Sequence, residues 1–323
     1  MDASAAPAPA GAASVDEPAP RRSRWNLGEL VRYDRRLHGT PFDLVMVAPA
    51  LVLFGLFIVW PALDALYSSL FDAPTRGGGF IGLGNYAEMM TDGVFWIAMK
   101  NNLLFIACNL VFQVGIGTVF AALMDRGIRR GSTVIRTIIF APLVVAPVAI
   151  GVIWSMILEP NFGLLAQSAD KVGLEVPSQG FLGNPDLAFY AIVGVGAWNY
   201  IGFMMMIMLA AMQAIPRDLY EAAELDGASA IQSFLHITLP SVKQALILCA
   251  LIVVVGSFKT FDLVYVLTDG GPGNTTQVLG TYIVESAFGL FRPNYAAAMS
   301  VVVLIVAFAF GTMQIFASQK RTA

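Results

Sequence analysis

The chain has 323 residues, 57% of them hydrophobic and 13% charged, with a mean hydropathy of +0.70. Soluble domains carry roughly 25% charged residues, so an ordinary water-soluble enzyme is excluded. A net charge of −3, with no basic stripe, gives no purchase for nucleic acid.

The opening segment, "MDASAAPAPAGAASVDEPAP", is rich in Ala and Pro and lacks an apolar block. Residues 1–40 therefore read as a disordered, basic arm and not as a signal peptide. Within it, Trp25–Leu37 fits a surface-lying helix and a solvated arm equally well. Residues 41–323 read as one transmembrane domain. A bilayer core near 30 Å takes on the order of 20 apolar residues per helix. Uncharged runs of that kind predict spans at about 44–66, 101–124, 137–158, 187–214, 242–263 and 295–317. The fifth reaches full length only by including Lys259. The predicted fold class is an all-α polytopic membrane protein with six transmembrane helices. Cys108 and Cys249 fall inside spans two and five, where they read as small core residues.

Lysine and arginine set orientation. The arm, the loops after spans two and four, and the tail hold fourteen of them, from Arg21 through Arg126, Arg136, Arg217 and Lys243 to Arg321. The alternate loops hold five: Arg76, Lys100, Lys171, Lys259 and Arg292. Both termini are thus expected in the cytoplasm.

Reactive chemistry is scarce. His38 and His236 are the two histidines, and no His/Cys cluster has metal spacing. "DGGPGNTT" (Asp269–Thr276) is glycine-rich but lacks the Gly-Lys-Ser/Thr ending of a phosphate loop. The spans also lack the chain of acids and histidines a proton relay needs. Energy for any pumping must come from another protein.

The segment "EAAELDGASAIQSFLHITLP" (Glu221–Pro240) interrupts this apolar pattern, and it has helix grammar. Pro216 suits a first turn, Asp218 and Glu221 sit near the positive end of the dipole, and Gly227 suits a left-handed stop. Ser229 with Gln232 forms a capping box for a second helix, which Pro240 is expected to close. The expectation is a rigid helix–turn–helix knob over residues 216–240.

That segment resembles the cytoplasmic EAA loop of ABC-importer permeases, through Glu221, Ala222, Ala223, Asp226, Gly227, Ala228, Ile237, Leu239 and Pro240. The resemblance extends to the sugar-permease branch of maltose and glycerol-3-phosphate importers. It runs through "FIGLGNY" (Phe80–Tyr86), "WNYIGFMMMIMLAAMQAIP" before the knob and the "T-x-GGP" element, Thr268–Pro272. It implies a MetI-like permease fold in the bacterial inner membrane and a knob that docks on an ATPase subunit. Glu221 would then pair with a basic residue there, and Gly227 would let the two short helices pack closely. The implied partners are a second permease, two ATP-binding-cassette subunits carrying ATP and Mg2+, and an extracytoplasmic substrate-binding protein. This chain itself would bind no cofactor.

For a sugar or polyol path, the aromatic and hydrogen-bonding residues flanking the knob are the candidates: Trp198, Asn199, Tyr200, Phe203, Ser257, Lys259 and Thr260. Lys259 and Asp262 form an i,i+3 pair, which reads either as mutual pairing near the outer boundary or as Lys259 contacting an anionic or strongly polar substrate. The competing class, a self-sufficient secondary transporter or channel, predicts an internal repeat, broken helices in both halves and intramembrane acids, and none is evident in the sequence.

Overall fold

The computed structural model describes residues 41–74, 77–127, 131–171, 173 and 177–319. The N-terminal arm, Arg76, Arg129, Arg130 and the last four residues lie outside the described residues, so much of the charge asymmetry does too. Two compact units follow one another along the chain, 1–60 and 61–323. In the first, α1 (Pro41–Phe54) runs into a π turn at Gly55–Val59. The second unit holds everything described below.

The boundary falls after the first residue of α2 (Trp60–Ser68), and α3 (Gly84–Thr91) follows. Between them the "FIGLGNY" loop is fixed by its own side chains. Asn85 Nδ2 donates to the carbonyls of Ser69 and Phe71 at 2.8 Å each, and the Tyr86 and Ser69 hydroxyls meet at 2.7 Å. Buried polar groups need such partners, which is why a polar loop can fold tightly against a helix end.

Next come α4 (Gly93–Arg126), α5 (Ser132–Phe140) and α6 (Pro147–Ile157), then α7 (Leu164–Lys171) and α8 (Ala188–Gln213). The chain continues through α9 (Asp218–Leu225), α10 (Ala230–Ser241), α11 (Lys243–Phe258) and α12 (Asp262–Leu267). It ends with α13 (Leu279–Val284) and α14 (Pro293–Gln319). Among the described residues, four helical stretches are long and apolar enough to span a bilayer, and the number is up to six if each of two bent pairs is one span.

The bent pairs correct the sequence expectation. Span three is not one helix over 137–158: α5 and α6 meet at 100°. Ala146 has ψ 138° because a residue before proline is pushed out of the helical region, Val145 before it is extended too with ψ 135°, and Pro147 then starts a new first turn. Span five is also shorter than 242–263. It stops at Phe258, and Lys259–Phe261 separate it from α12. Pro240 does not close the second knob helix either, since α10 continues to Ser241 through a π turn at Phe234–Thr238. That widened turn accommodates the amide hydrogen proline lacks. The stop comes at Val242, with a 69° bend into α11.

The core is organised around α8, which is apolar on all sides and buried on most of them, as such a helix must be. Met204, Met205, Met208 and Met212 pack with Val114, Cys249 and Val253. Phe189, Ile192 and Val195 pack with Phe105, Ile150 and Leu263. Cys108 is half-buried and Cys249 fully buried, both as free thiols.

Two adjacent asparagines on α4 hold the chain after α11. Asn101 Nδ2 donates to the carbonyls of Thr275 and Gln277, each at 2.8 Å. Asn102 Nδ2 donates to Ser257 O at 2.8 Å, and Asn102 Oδ1 accepts from the Leu279 amide at 2.7 Å. One side chain therefore ties the end of α11 to the start of α13. Asn102→Leu is expected to cost about 1–3 kcal/mol for each backbone group left unpaired. A denaturant titration of the purified protein would show it as a lower midpoint, and an unchanged midpoint would refute the assignment.

Asp92 caps α4, accepting from the Val94 and Phe95 amides, and also accepts from the hydroxyls of Tyr282 and Tyr295. Burial alone would raise its carboxyl, but the two tyrosines and the two amides outweigh that and hold it below the usual value.

Candidate functional site

The knob is built by local rules. In α9, Asp218 and Glu221 occupy the first turn, while Pro216 lies just before the helix and Arg217 takes the cap position. The C-terminus closes as a Schellman motif. The Ala228 amide donates to Ala223 O at 2.9 Å, and the Gly227 amide donates to Glu224 O at 3.1 Å, with Gly227 at φ +77°. A Cβ at Gly227 would meet nothing within 4 Å. The expected crowding between the short helices is therefore absent, and glycine is needed there for its backbone angle alone. Ser229 then starts α10 with a complete capping box: its amide donates to Gln232 Oε1 at 2.8 Å, and the Gln232 amide donates to Ser229 Oγ at 3.4 Å.

Tyr220 joins the knob to the rest of the chain. Its hydroxyl lies 2.8 Å from Thr238 Oγ1, tying α9 to α10, and the Arg126 guanidinium at the end of α4 sits 3.0 Å above its ring. The outer surface is apolar at its tip. Leu225 is 90% exposed and Ile231 72%, with Glu221 and Ala222 exposed beside them. Ile237 and Leu239 are half-buried at its base, and Pro240 is exposed. Behind Glu221 a cleft of about 1050 Å3 is lined by Arg126, Arg136 and Arg217 and by Asp125, Glu221 and Glu224, three charges of each sign. Glu221 forms no ion pair among the described residues.

A second cavity, of about 270 Å3, lies where α4, α8 and α11 come together beside the Lys259–Phe261 break. It gathers Asn199, Tyr200, Ser257, Lys259 and Thr260 from the sequence-based candidates. Trp198 and Phe203 are not among its walls. Trp198 is 44% exposed and packs edge-on against Trp154, with centroids 5.5 Å apart, while Phe203 packs with the methionine cluster. Lys259 and Asp262 both line the cavity but form no ion pair, because the helix break between them removes the i,i+3 geometry. The hydroxyls of Ser257 and Thr260 donate to the carbonyls of Val253 and Gly256 at 2.7 and 3.2 Å, so toward the cavity they offer lone pairs only.

The sequence reading missed Asn109 and Gln113, which bring two more amides to the same cavity from α4. Both are buried, and a π turn begins at Leu110 between them. Two amides four residues apart inside a predicted span were the available signal.

Bent apolar spans around a largely apolar cavity into which a few polar side chains reach, with a rigid surface knob between two of them, fit a membrane permease subunit. The chain belongs to the family described as binding-protein-dependent transport system inner membrane component, which matches residues 113–321 and so includes the knob and most of the cavity. It is a membrane component of an ABC transport system. Over 275 residues it is 37% identical to the probable ABC transporter permease protein YurN of Bacillus subtilis, with 84% of this chain and 93% of that one covered. Over 281 residues it is 30% identical to the lactose transport system permease protein LacF of Rhizobium radiobacter, with 86% and 94% covered. Among solved structures, a bacterial ABC transporter involved in the import of the acidic polysaccharide alginate superposes with a TM-score of 0.78 at 22% identity. That match covers 92% of this chain and 99% of the other, and it shows the shared fold.

Proposed function

We propose that this chain forms half of the translocation path of a bacterial ATP-driven importer for sugars or related polyols. It works with a second permease, two ATP-binding-cassette subunits holding ATP and Mg2+, and an extracytoplasmic substrate-binding protein. Both termini and the Glu221–Pro240 knob face the cytoplasm. The knob is the observation that carries this reading. Two capped helices locked at a Schellman turn present Leu225 and Ile231 outward and are tied by Tyr220 to the end of α4. Such a body transmits a push as a unit, and the bends at Val145–Ala146 and Val242 supply places where spans pivot. The cavity walls of Asn199, Tyr200, Ser257, Thr260 and Lys259 suit the hydroxyls of a sugar. The lactose permease among the relatives supports that substrate class.

The test is ATP-driven uptake of labelled sugars into proteoliposomes holding the complete importer and its binding protein. Uptake is expected only with all components and ATP present. Liposomes holding this chain alone should neither hydrolyse ATP nor accumulate sugar, and sugar uptake by the isolated chain would overturn the proposal.

A further inference from the structure

The cleft behind the knob has two charged walls. The end of α4 and the first turns of α5 supply Asp125, Arg126 and Arg136, and the knob supplies Arg217, Glu221 and Glu224. Asp125 and Arg126 pair at 3.7 Å, and Arg126 also lies over the Tyr220 ring. Arg217 at the cap of α9 and Glu221 in its first turn are four residues apart, close enough on a helix to offset one another. One cation is then left on the first wall, Arg136, and one anion on the second, Glu224. Arg136 is half-buried, its Nε is closed off from solvent with no hydrogen-bond partner, and its side chain forms no ion pair among the described residues. The Glu224 carboxylate is exposed and equally unpaired there. Taking a guanidinium out of water without its hydrogen bonds is costly, and native structures keep few such groups without a purpose.

We propose that Arg136 is a coupling residue, which pairs with Glu224 when the knob closes on α5. This rests on the reading of the knob as the ATPase contact and adds how its motion reaches the membrane. Tyr220 and Glu224 are four residues apart and share one face of α9. Tyr220 already touches the opposite wall through Arg126, and Glu224 stands about 6 Å further along the same face, at 1.5 Å per residue. The knob joins α8 through the non-helical stretch 214–217 and α11 through the 69° bend, so the Tyr220 contact serves as its pivot. Arg136 belongs to α5, which meets α6 at the 100° bend and whose end abuts Gly202 of α8. A pair made there ties the knob to the bent third span in one state and releases it in the other. The link is open in this structure. Switching between two arrangements is what transmission through a contact requires, and a permanent bond would not provide it.

The test uses the complete importer and its binding protein in proteoliposomes, with labelled glucose, lactose and trehalose as probes. The readout is sugar taken up per ATP hydrolysed. Arg136→Glu and Glu224→Arg are each expected to lower that ratio about tenfold, the size of a close charge-pair coupling, with the amounts of permease and bound ATPase unchanged. The double charge swap should recover most of the ratio, because it restores the pair with reversed polarity. Spin labels at Thr133→Cys on α5 and Leu235→Cys on α10, with Cys108 and Cys249 replaced, report the cleft directly; both positions are exposed. Their separation should be shorter in one of two states, nucleotide-free or trapped with ATP and vanadate. Arg136→Gln should remove the shorter population. Single reversals without effect, no recovery in the double swap, or one unchanged separation in both states would overturn the proposal. A wild-type importer that takes up none of the sugars with ATP counts against the importer reading. The label separations need only the assembled complex and nucleotide, so they still decide the pair in that case.

Discussion

Gly202→Ala is expected to remove most of the folded protein from the membrane. A Cβ at this position of α8 would lie 2.2 Å from Ile139 O and 2.8 Å from Phe140 Cα. Both are backbone atoms at the end of α5, so no side chain can swing aside. Typical overpacking costs about 1–3 kcal/mol, and a rigid backbone obstacle falls at or above the top of that range. α8 would have to move away from the α5–α6 bend, loosening the methionine cluster on its other side. Gly194→Ala, on the same helix with nothing within 4 Å of its added carbon, is the control and should accumulate normally. Quantifying membrane-extracted, monodisperse protein for both variants checks this. Equal amounts would mean that α5 and α8 do not meet at Gly202.

Gly227→Val is expected to leave the protein in the membrane and abolish transport. The residue sits at φ +77° with open space around it, so the penalty is conformational, about 1–2 kcal/mol or more for a β-branched residue. The Schellman bonds of Ala228 and Gly227 would open and the angle between α9 and α10 would change, while every span keeps its sequence. ATPase subunits should then be lost on purification, or hydrolysis should proceed without uptake. Gly227→Asn supplies the contrast, because asparagine tolerates the left-handed region, and it should keep most of the activity. Glu221→Lys acts on the same surface by charge and should weaken the ATPase contact if a basic residue faces it. Wild-type uptake by Gly227→Val would reduce the knob to an ordinary loop.

The contrast between these two glycines shows what a sequence discloses. Gly227 was legible because caps and turns follow from residues within five positions of one another, and the Ser229–Gln232 box was legible for the same reason. Gly202 looked like any small residue in an apolar run, since its neighbour is 63 positions earlier in the chain. The four straight spans came through because the bilayer sets a length. Span shape did not, because Pro142 and Pro147 sit in a run whose hydropathy is uninterrupted, and a helix that bends by 100° has the same composition as a straight one. The Lys259–Asp262 pair failed for a related reason: spacing implies contact only within a continuous helix, and the chain is not helical at Thr260 and Phe261. Of the cavity, Asn199, Tyr200, Ser257, Lys259 and Thr260 came from the two stretches flanking the knob. Asn109 and Gln113 came from a third helix that only packing brings there.

The most direct test of the central claim, that the knob is the contact through which an ATPase drives this permease, is site-specific cross-linking at Leu225. This side chain is 90% exposed, so Leu225→Cys should not disturb folding, once Cys108 and Cys249 are replaced. In membranes holding the complete importer, a photoreactive probe on Cys-substituted Leu225 should attach to an ATP-binding-cassette subunit. The yield should change when ATP and vanadate trap the closed state and collapse when Gly227→Val is added. Attachment to no ATPase subunit in an assembled importer, or labelling of the same position by an impermeant maleimide from outside intact cells, would contradict it.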